Sequence, residues 1–496
     1  MRALIGICLG VVLGVIAALP VRAGEVTLHA DDGDLSIDGR LVSYDGAFYT
    51  LETTFGPLTL HADRVRCEGD GCPQAGAPAV ELNFAGAPLI GAELMPALIE
   101  GFARAHDMRT YREIHGDGDS THVLLDPTGA LRARMRLTLS DSDGGLIALL
   151  DGRADVAMSL DILRDDDLRV REIARDALVP AVAAQNELGA ISVPLLADTL
   201  AGKIRDWDGL GRDTQGRVAL HLYPAASGIQ QALEAQLLGP EGLPLADEVR
   251  RHPDAATLAD ALAADPDGLG LALASRPGAT HGLTLAGDCA HPSRPTQHAI
   301  RSGDYPLLLP LYLHTRAERL APIARDFLDY LASDTAAGTI RRAGFVDLAP
   351  RRFLDPVYAL QPDDATKPAP RPTLPASASP PGAERVTTTI RFESGSAQLD
   401  AMAMDAVARL ADALADGLHG RRSLVFAGFT DATEAADDLV DDRAAVVRDA
   451  VRAALRARGL GDLETEIATP EGLPPAACDD SAAGRAVNRR VEIWLR

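Results

Sequence analysis

The stretch DGGLIALLDGRADVAMS, residues 143–159, passes from an apolar helical segment through an Asp-Gly turn into a short buried strand. ELNFAG (81–86) and LMPALIEGFARAH (94–106) precede it as a strand and a helix. Such alternation is typical of α/β units on a mainly parallel sheet. It continues from about residue 80 to 355, a length that accommodates two lobes.

The gross composition excludes several function classes. A chain of 496 residues is too long for one core and predicts two to four domains. Its net charge of −23 repels nucleic acid and anionic lipid, so neither is an expected partner. No G-x-S-x-G elbow with a placed His and Asp and no H-E-x-x-H motif occurs. We therefore expect a non-catalytic protein without metal or cofactor, with a cell-wall hydrolase as the alternative.

Residues 1–23 have the pattern of a cleavable signal peptide. Arg2 provides the positive start, an apolar run comes next, Pro20 breaks the helix, and Val21 and Ala23 are small residues at the cleavage positions. A membrane anchor is the alternative, although the apolar run is short for a full span. No later segment is apolar enough to cross a membrane as a helix. We expect an exported protein.

Residues 24–76 alternate polar and apolar residues in short runs separated by Gly and Asp, which predicts a small β module of hairpins. Its CEGDGC segment predicts a disulfide between Cys67 and Cys72 in an oxidising compartment. The sequence leaves the pairing of Cys289 and Cys478 open.

Residues 356–385, rich in Pro, Ala and Ser, predict a semi-extended linker, long enough to hold the preceding body roughly tens of ångströms from the cell wall. Residues 386–496 predict a compact βαβαββ domain. Its expected elements are a strand over 387–399, a helix over 400–418, a strand at Ser423–Thr430, a helix from Arg443 to about Arg456, and strands at Leu463–Thr469 and Arg489–Leu495.

Four motifs of this last domain resemble OmpA-like peptidoglycan-binding domains. They are FESGSAQL (392–399), GFTD (428–431), RAAVV (443–447) and GRAVNRRVEIW (484–494). The resemblance implies that Asp431 and Arg443 grip the diaminopimelate of the peptide stem. Thr430, Asn488 and Arg489 take supporting positions. Glu434 stands where the family has a glycine.

The chemistry of such a site follows from its ligand. Diaminopimelate presents an ammonium and a carboxylate on one carbon, so a receptor needs one acceptor and one cationic donor. Asp431 provides the acceptor, and the planar guanidinium of Arg443 matches a carboxylate. A helix start at Arg443 adds free N–H groups.

Residues 80–350 resemble the phosphate-binding proteins of ABC transporters, which have the two-lobed periplasmic solute-binding fold. GAPLIGAELMPALIEGFAR (86–104), the opening 143–159 stretch, LADTLAGKIRDWDGLG (196–211) and AASGIQQALEAQLL (225–238) carry the resemblance. It implies a solute cleft lined by Ser140, Ser142, Gly144, Ser159, Tyr223, Ser227 and Gly228.

Several anion ligands of that family are missing. Ala87, Pro88 and Leu89 carry no hydroxyl in the first loop, Tyr223 replaces the expected arginine, and Ile229 replaces a threonine. Three alternatives stay open: a less charged or more apolar solute, an interaction module for an envelope partner, or phosphate itself.

The fold class expected is therefore multidomain α/β and α+β: a small β module, a two-lobed body over 80–355 and an OmpA-like domain. The function expected is peptidoglycan binding in the periplasm of a Gram-negative bacterium, with the body displayed at the cell wall. The alternative is a binding protein of an ABC transporter, for phosphate or another small solute, that is tethered to the wall.

Overall fold

The computed structural model describes residues 25–30, 35–44, 48–69, 71–72, 80–211, 216–287, 289, 291–316, 320–353, 383–420, 422–434, 437–468 and 475–496. The predicted signal peptide, 1–23, and residues 356–382 of the predicted linker lie outside these ranges. The chain divides into two compact units, Met1–Val80 and Glu81–Arg496.

The first unit is an antiparallel sheet of five strands in the order β4-β3-β2-β1-β5. The strands are β1 (Glu25–Ala30), β2 (Ser36–Tyr44), β3 (Phe48–Thr53), β4 (Gly56–His61) and β5 (Val65–Glu68). Alternate side chains form its core: Val26, Leu28, Leu41, Tyr49 and Leu51. A disulfide joins Cys67 to Cys72, at the end of β5. The period-two pattern produces this arrangement because successive strand side chains point to opposite faces.

The second unit begins with a body of alternating strands and helices. Its elements are β6 (Val80–Gly86), α1 (Pro88–Gly91), α2 (Met95–Ala105), β7 (Arg109–Ile114), β8 (Ser120–Leu125), β9 (Leu131–Leu139), α3 (Ser142–Leu150), β10 (Val156–Ser159), β11 (Leu168–Ala183), β12 (Ala190–Ile191), α4 (Val193–Leu200), β13 (Ala219–Leu222), α5 (Gly228–Leu237), β14 (Val249–Arg251), α6 (Ala255–Ala264), β15 (Gly268–Leu273), β16 (Thr280–Gly282), β17 (Thr284–Leu285), α7 (Gln297–Ser302), β18 (Leu308–Arg316), α8 (Pro322–Leu331) and α9 (Asp334–Arg342).

The sheet of the body is mixed, not mainly parallel as the alternation predicts. Its strand order is β14-β13-β15-β11-β18-β10-β6-β9-β8-β7, with β16 beside β11. Parallel pairs join β6 to β10 and β13 to β14 and β15. Short turns make β7, β8 and β9 an antiparallel meander, and β11 pairs antiparallel with β15 and β18. The long strand β11 thereby continues from one lobe into the other.

The C-terminal domain adds a second sheet, in the order β19-β20-β23-β21-β22. Its elements are β19 (Arg352–Phe353), β20 (Glu384–Arg391), α10 (Ala401–Ala413), β21 (Leu424–Gly428), α11 (Asp437–Ala457), β22 (Thr465–Ala468), α12 (Ala482–Asn488) and β23 (Arg490–Leu495). Apolar side chains of α10 and α11 pack on the sheet: Val407, Leu410, Phe426, Val447 and Ile493 are among the buried ones.

Two boundaries and one helix differ from those expected. Strand β20 begins at Glu384, inside the predicted linker, and pairs with Arg352 and Phe353 at the predicted end of the body. Helix α11 begins at Asp437, so Arg443 lies in its second turn and not at its start. The acidic residues Asp438, Asp441 and Asp442 favour this earlier start because they complement the positive end of the helix dipole. Helix α12 was not expected from the sequence.

Candidate functional site

The residues predicted to line the solute cleft lie around the starts of helices α3 and α5 and just at or after the ends of β9, β10 and β13. A Cβ at Gly145 would lie 2.6 Å from the carbonyl oxygen of Ala85, so α3 packs directly on the end of β6. A Cβ at Gly228 would lie 2.8 Å from Oγ of Ser142. The starts of α3 and α5 therefore lie against each other, and the structure brings Ser142 and Gly228 together as the resemblance implies.

Two of the predicted serines use their hydroxyls inside the protein. Ser142 is fully buried, and its Oγ accepts the Leu160 N–H at 3.1 Å. Ser159 is also buried; its Oγ accepts the Asp161 N–H at 3.0 Å and donates to the Asp161 carbonyl at 2.9 Å. These bonds hold the loop after β10 against the start of α3.

The other polar residues of the set act as helix caps or lie beside one. Oγ of Ser227 accepts the Gln230 N–H at the start of α5. Asp141 caps α3 by accepting the Gly144 N–H at 2.7 Å, and the hydroxyl of Ser140 donates to the Asp141 carbonyl. Asp141 was not among the residues predicted from the sequence, although an Asp just before an apolar helical run is a known N-cap signal.

The charge at the start of α3 is negative. Burial and the neighbouring charge of Asp143 raise the pKa of Asp161 above its ordinary value. Asp141, Asp143 and Asp161 form no ion pair with any residue that the structure describes. Since Asp141 also occupies a helix N–H that would otherwise face a ligand, this end of the cleft repels a free anion.

Tyr223, expected where the related family has a clamp arginine, is a core residue. It is 1% exposed and packs in a cluster with Ala181, Leu258 and Leu262. Burial raises the pKa of its hydroxyl far above the ordinary value. Ile229, in place of the expected threonine, packs against the same cluster. Both replacements extend the apolar core behind the start of α5.

In the C-terminal domain, Arg443 is fully buried and held by Glu434. Its two terminal nitrogens each lie 2.8 Å from a different carboxylate oxygen of Glu434. It also donates to the carbonyl groups of Glu393, Ser396 and Phe429. Burial acts to raise the pKa of Glu434, but hydrogen bonds from Arg443 and Gly395 and the charge of Arg443 outweigh it, and the pKa is lowered.

Asp431 has a different partner. Its carboxylate accepts from Arg489 at 2.7 Å and from the N–H and hydroxyl of Thr433. Burial acts to raise the pKa of Asp431, but these donors outweigh it and lower the pKa. The Asp431 N–H lies 3.3 Å from the same Glu434 carboxylate that Arg443 holds. Asp431 and Arg443 thus both contact Glu434, and an internal partner occupies each of them.

The supporting residues have structural contacts. Asn488 is 1% exposed and bonds the backbone of Ala476 and Ala477 and the carboxylate of Asp479. It shapes the segment before α12 and not the Asp431 pocket. Thr430 is half-buried beside Asp431. Of the three supporting residues, Arg489 alone contacts Asp431 among the described contacts.

A disulfide and an ion cluster fasten the C-terminal domain to the body. Cys289, in the loop after β17, is bonded to Cys478, before α12. Asp304 of the body accepts from Arg385 at 2.8 Å and from Arg391 at 2.5 Å, both on β20. Covalent and ionic contacts therefore hold the C-terminal residues against the body, while residues 356–382 of the predicted linker lie outside the described ranges.

The comparisons with known proteins address the body. Residues 130–335 match the model of the PBP superfamily domain. The comparison with curated proteins gave no match. No described helix is long and apolar enough to cross a membrane.

Solved structures similar to this chain include an ABC-type phosphate transport receptor from Vibrio cholerae, which is 17% identical. The match covers 53% of this chain and 99% of that one, with a TM-score of 0.44. A putative phosphate ABC transporter substrate-binding protein from Clostridium perfringens is 14% identical, with 54% and 99% covered and a TM-score of 0.42. A possible phosphate-binding protein from Planctomyces limnophilus is 16% identical, with 55% and 94% covered and a TM-score of 0.41.

The family match spans α3, β11 and α5 and stops before the C-terminal domain. The similarity to the PBP superfamily domain is therefore confined to residues 130–335.

Proposed function

We propose that this protein is a non-catalytic, periplasmic solute-binding protein whose ligand is a small cationic or uncharged polar molecule. The ligand lies between the starts of α3 and α5. One observation carries the choice of ligand: the carboxylate of Asp141 caps α3, with Asp143 and Asp161 beside it and no described arginine or lysine paired to them. A phosphate dianion would meet repulsion there, whereas an ammonium or hydroxyl group finds acceptors.

Ligand entry requires the lobes to part, because Ser142 of one lobe and Gly228 of the other are already in contact. Strands β11 and β18 are paired over Leu168–Ala177 and lie where the lobes join. A small rotation about these strands opens the cleft while keeping each lobe's core intact, which is the usual route of hinge closure around a ligand.

Peptidoglycan attachment through the C-terminal domain is a second candidate. The observation that favours it is that Asp431 and Arg443 both contact Glu434, whose carboxylate occupies the place on the guanidinium that a ligand carboxylate would take. In this state the guanidinium of Arg443 is already paired with the carboxylate of Glu434. Binding of a peptide stem then requires Glu434 to be displaced, which weakens the attachment.

Isothermal titration calorimetry on the mature chain tests the first proposal, with inorganic phosphate, lysine, ethanolamine and glucose as probes. We expect phosphate to bind no more tightly than about 1 mM, and an amine or sugar to bind more tightly. Asp141→Asn keeps the helix cap but removes its charge, so it isolates the electrostatic contribution. Phosphate binding at low-micromolar concentration by the unmodified protein would contradict the proposal.

A further inference from the structure

A groove of about 550 Å³ lies between α2 and the edge strand β7, and it is separate from the cleft between α3 and α5. Its lining combines the last turns of α2 with the first residues of β7 and one residue of β8. The lining residues are Glu100, Ala103, Arg104, Met108, Arg109, Thr110, Tyr111, Arg112 and His122.

Three arginines of this lining carry charges that the protein does not neutralise. Arg104, Arg109 and Arg112 form no ion pair with any described residue, and Glu100, the carboxylate of the same lining, pairs with none of them. Several arginines elsewhere in the chain, such as Arg443, hold carboxylates. Arg109 lies on the opposite face of β7 from Arg112, so Arg104 and Arg112 are the two unpaired guanidinium groups at the groove, and in a chain of net charge −23 they form a local site for an anion.

The floor of the groove contains polar atoms without partners. His122 is fully buried, and neither of its ring nitrogens has a hydrogen-bond partner among the described residues. The hydroxyl of Thr110 is also buried and has no partner within the same described part of the chain. Burial, together with the charge of Arg112, lowers the pKa of His122 to about 4, so the ring is neutral and offers one donor and one acceptor. A bound ligand supplies the hydrogen bonds that these buried polar groups lack.

The strand register explains how these groups meet. Arg112 lies opposite His122 in the pairing of β7 with β8, and both therefore point to the face of the meander covered by α2. Arg104 approaches from α2 on the other side of the groove. Arg104, Arg112 and the neutral imidazole of His122 thus lie around the same groove. None of them belongs to the residues predicted to line the cleft between α3 and α5.

We propose that this groove binds a small organic anion, one that carries a phosphate or carboxylate group together with a hydroxyl or amide group. Arg104 and Arg112 hold the anionic group, while His122 and Thr110 hydrogen-bond the polar part. The site is independent of the solute proposed for the cleft.

Calorimetry on the mature chain tests this site with two probes, glucose 6-phosphate and citrate, which distinguish a phosphate from a carboxylate ligand. We expect one of them to bind, with an affinity that falls as salt rises. Arg104→Gln and Arg112→Gln should each weaken binding about tenfold or more. The matched control is Arg134→Gln on β9, which pairs with Val123 on the opposite face of the same meander and should leave binding unchanged.

His122→Phe separates ligand binding from a packing role. It should weaken binding about tenfold while the melting temperature stays or rises, because an unmet polar group leaves the core. The proposal is overturned if neither probe binds, if Arg134→Gln weakens binding as much as Arg112→Gln, or if an acidic peptide binds and both small anions do not.

Discussion

Glu434 and Arg443 form a bidentate ion pair, in which both nitrogen–oxygen distances are 2.8 Å and the arginine is fully buried. Arg443 is the residue that the sequence assigns to a peptidoglycan carboxylate, and Glu434 stands where a glycine is expected. The protein's own carboxylate therefore competes with any ligand for this guanidinium.

Removing that competitor should expose the pocket. Glu434→Ala is expected to raise retention on purified sacculi, because the guanidinium of Arg443 is then free to bind a carboxylate from the peptide stem. The same change leaves a buried charge unpaired and should lower the free energy of unfolding by about 3–5 kcal/mol. A pulldown on sacculi, with circular dichroism to check folding, measures both effects.

Two variants control that experiment. Glu434→Gln keeps the side-chain length and should give a smaller gain, and adding Arg443→Ala to Glu434→Ala should abolish the gain. Strong retention of the unmodified protein that survives Arg443→Ala would show that this pocket is not the wall-binding site.

The disulfide Cys289–Cys478 should hold the C-terminal domain on the body. Replacing both cysteines by serine is expected to cost about 2–5 kcal/mol and to release the domain to proteolysis, since the cross-link restricts the unfolded chain. Limited proteolysis followed by mass spectrometry detects the released fragment.

The matched control replaces Cys67 and Cys72 of the first unit by serine. That change should leave the C-terminal domain as resistant as before. If the Cys289 and Cys478 variant is equally resistant, the ionic contacts alone hold the two parts together.

Stability should fall in acid because of Asp304. Burial acts to raise its pKa, but the charges of Arg385, Arg391 and Arg490 outweigh it and hold the pKa well below the ordinary value. A carboxylate with a lowered folded-state pKa adds stability above its unfolded pKa of about 3.9, and that stability is lost as the pH falls below about 4.

Urea unfolding at pH values from about 7 to 3 measures this loss. Asp304→Asn should lower stability by about 3–5 kcal/mol at neutral pH, and the remaining acid dependence should be smaller than in the unmodified protein. An identical pH dependence in the variant would assign the acid sensitivity to other carboxylates.

Gly86, at the end of β6, should tolerate no side chain. Its φ is +132°, and a Cβ there would lie 2.0 Å from the carbonyl oxygen of Met158, a backbone atom that cannot move aside. Gly86→Ala should lower the melting temperature much more than Gly211→Ala, because a Cβ at Gly211, φ +81°, meets nothing within 4 Å. Differential scanning calorimetry compares the melting temperatures of the two variants. Equal decreases would mean that the positive φ alone, and not the clash with Met158, is responsible.

Local patterns in the sequence predicted most of the elements. The period-two runs before residue 76 indicated the first sheet, and the stretch 143–159 placed α3 and β10 correctly. These features depend on neighbours a few residues apart, so periodicity and turn chemistry report them directly. The mixed direction of the large sheet was missed because strand order depends on contacts across the whole body.

The sequence by itself determined which residues are chemically able to bind a ligand, including Asp431, Arg443 and Ser142. Only the tertiary structure decided which partner each one takes. Arg443 meets Glu434, and Cys289 meets Cys478 across 189 positions. The physical reason is that ion pairs and disulfides form between groups brought together by chain closure, and a pattern confined to one segment carries no information about which distant segment will lie against it.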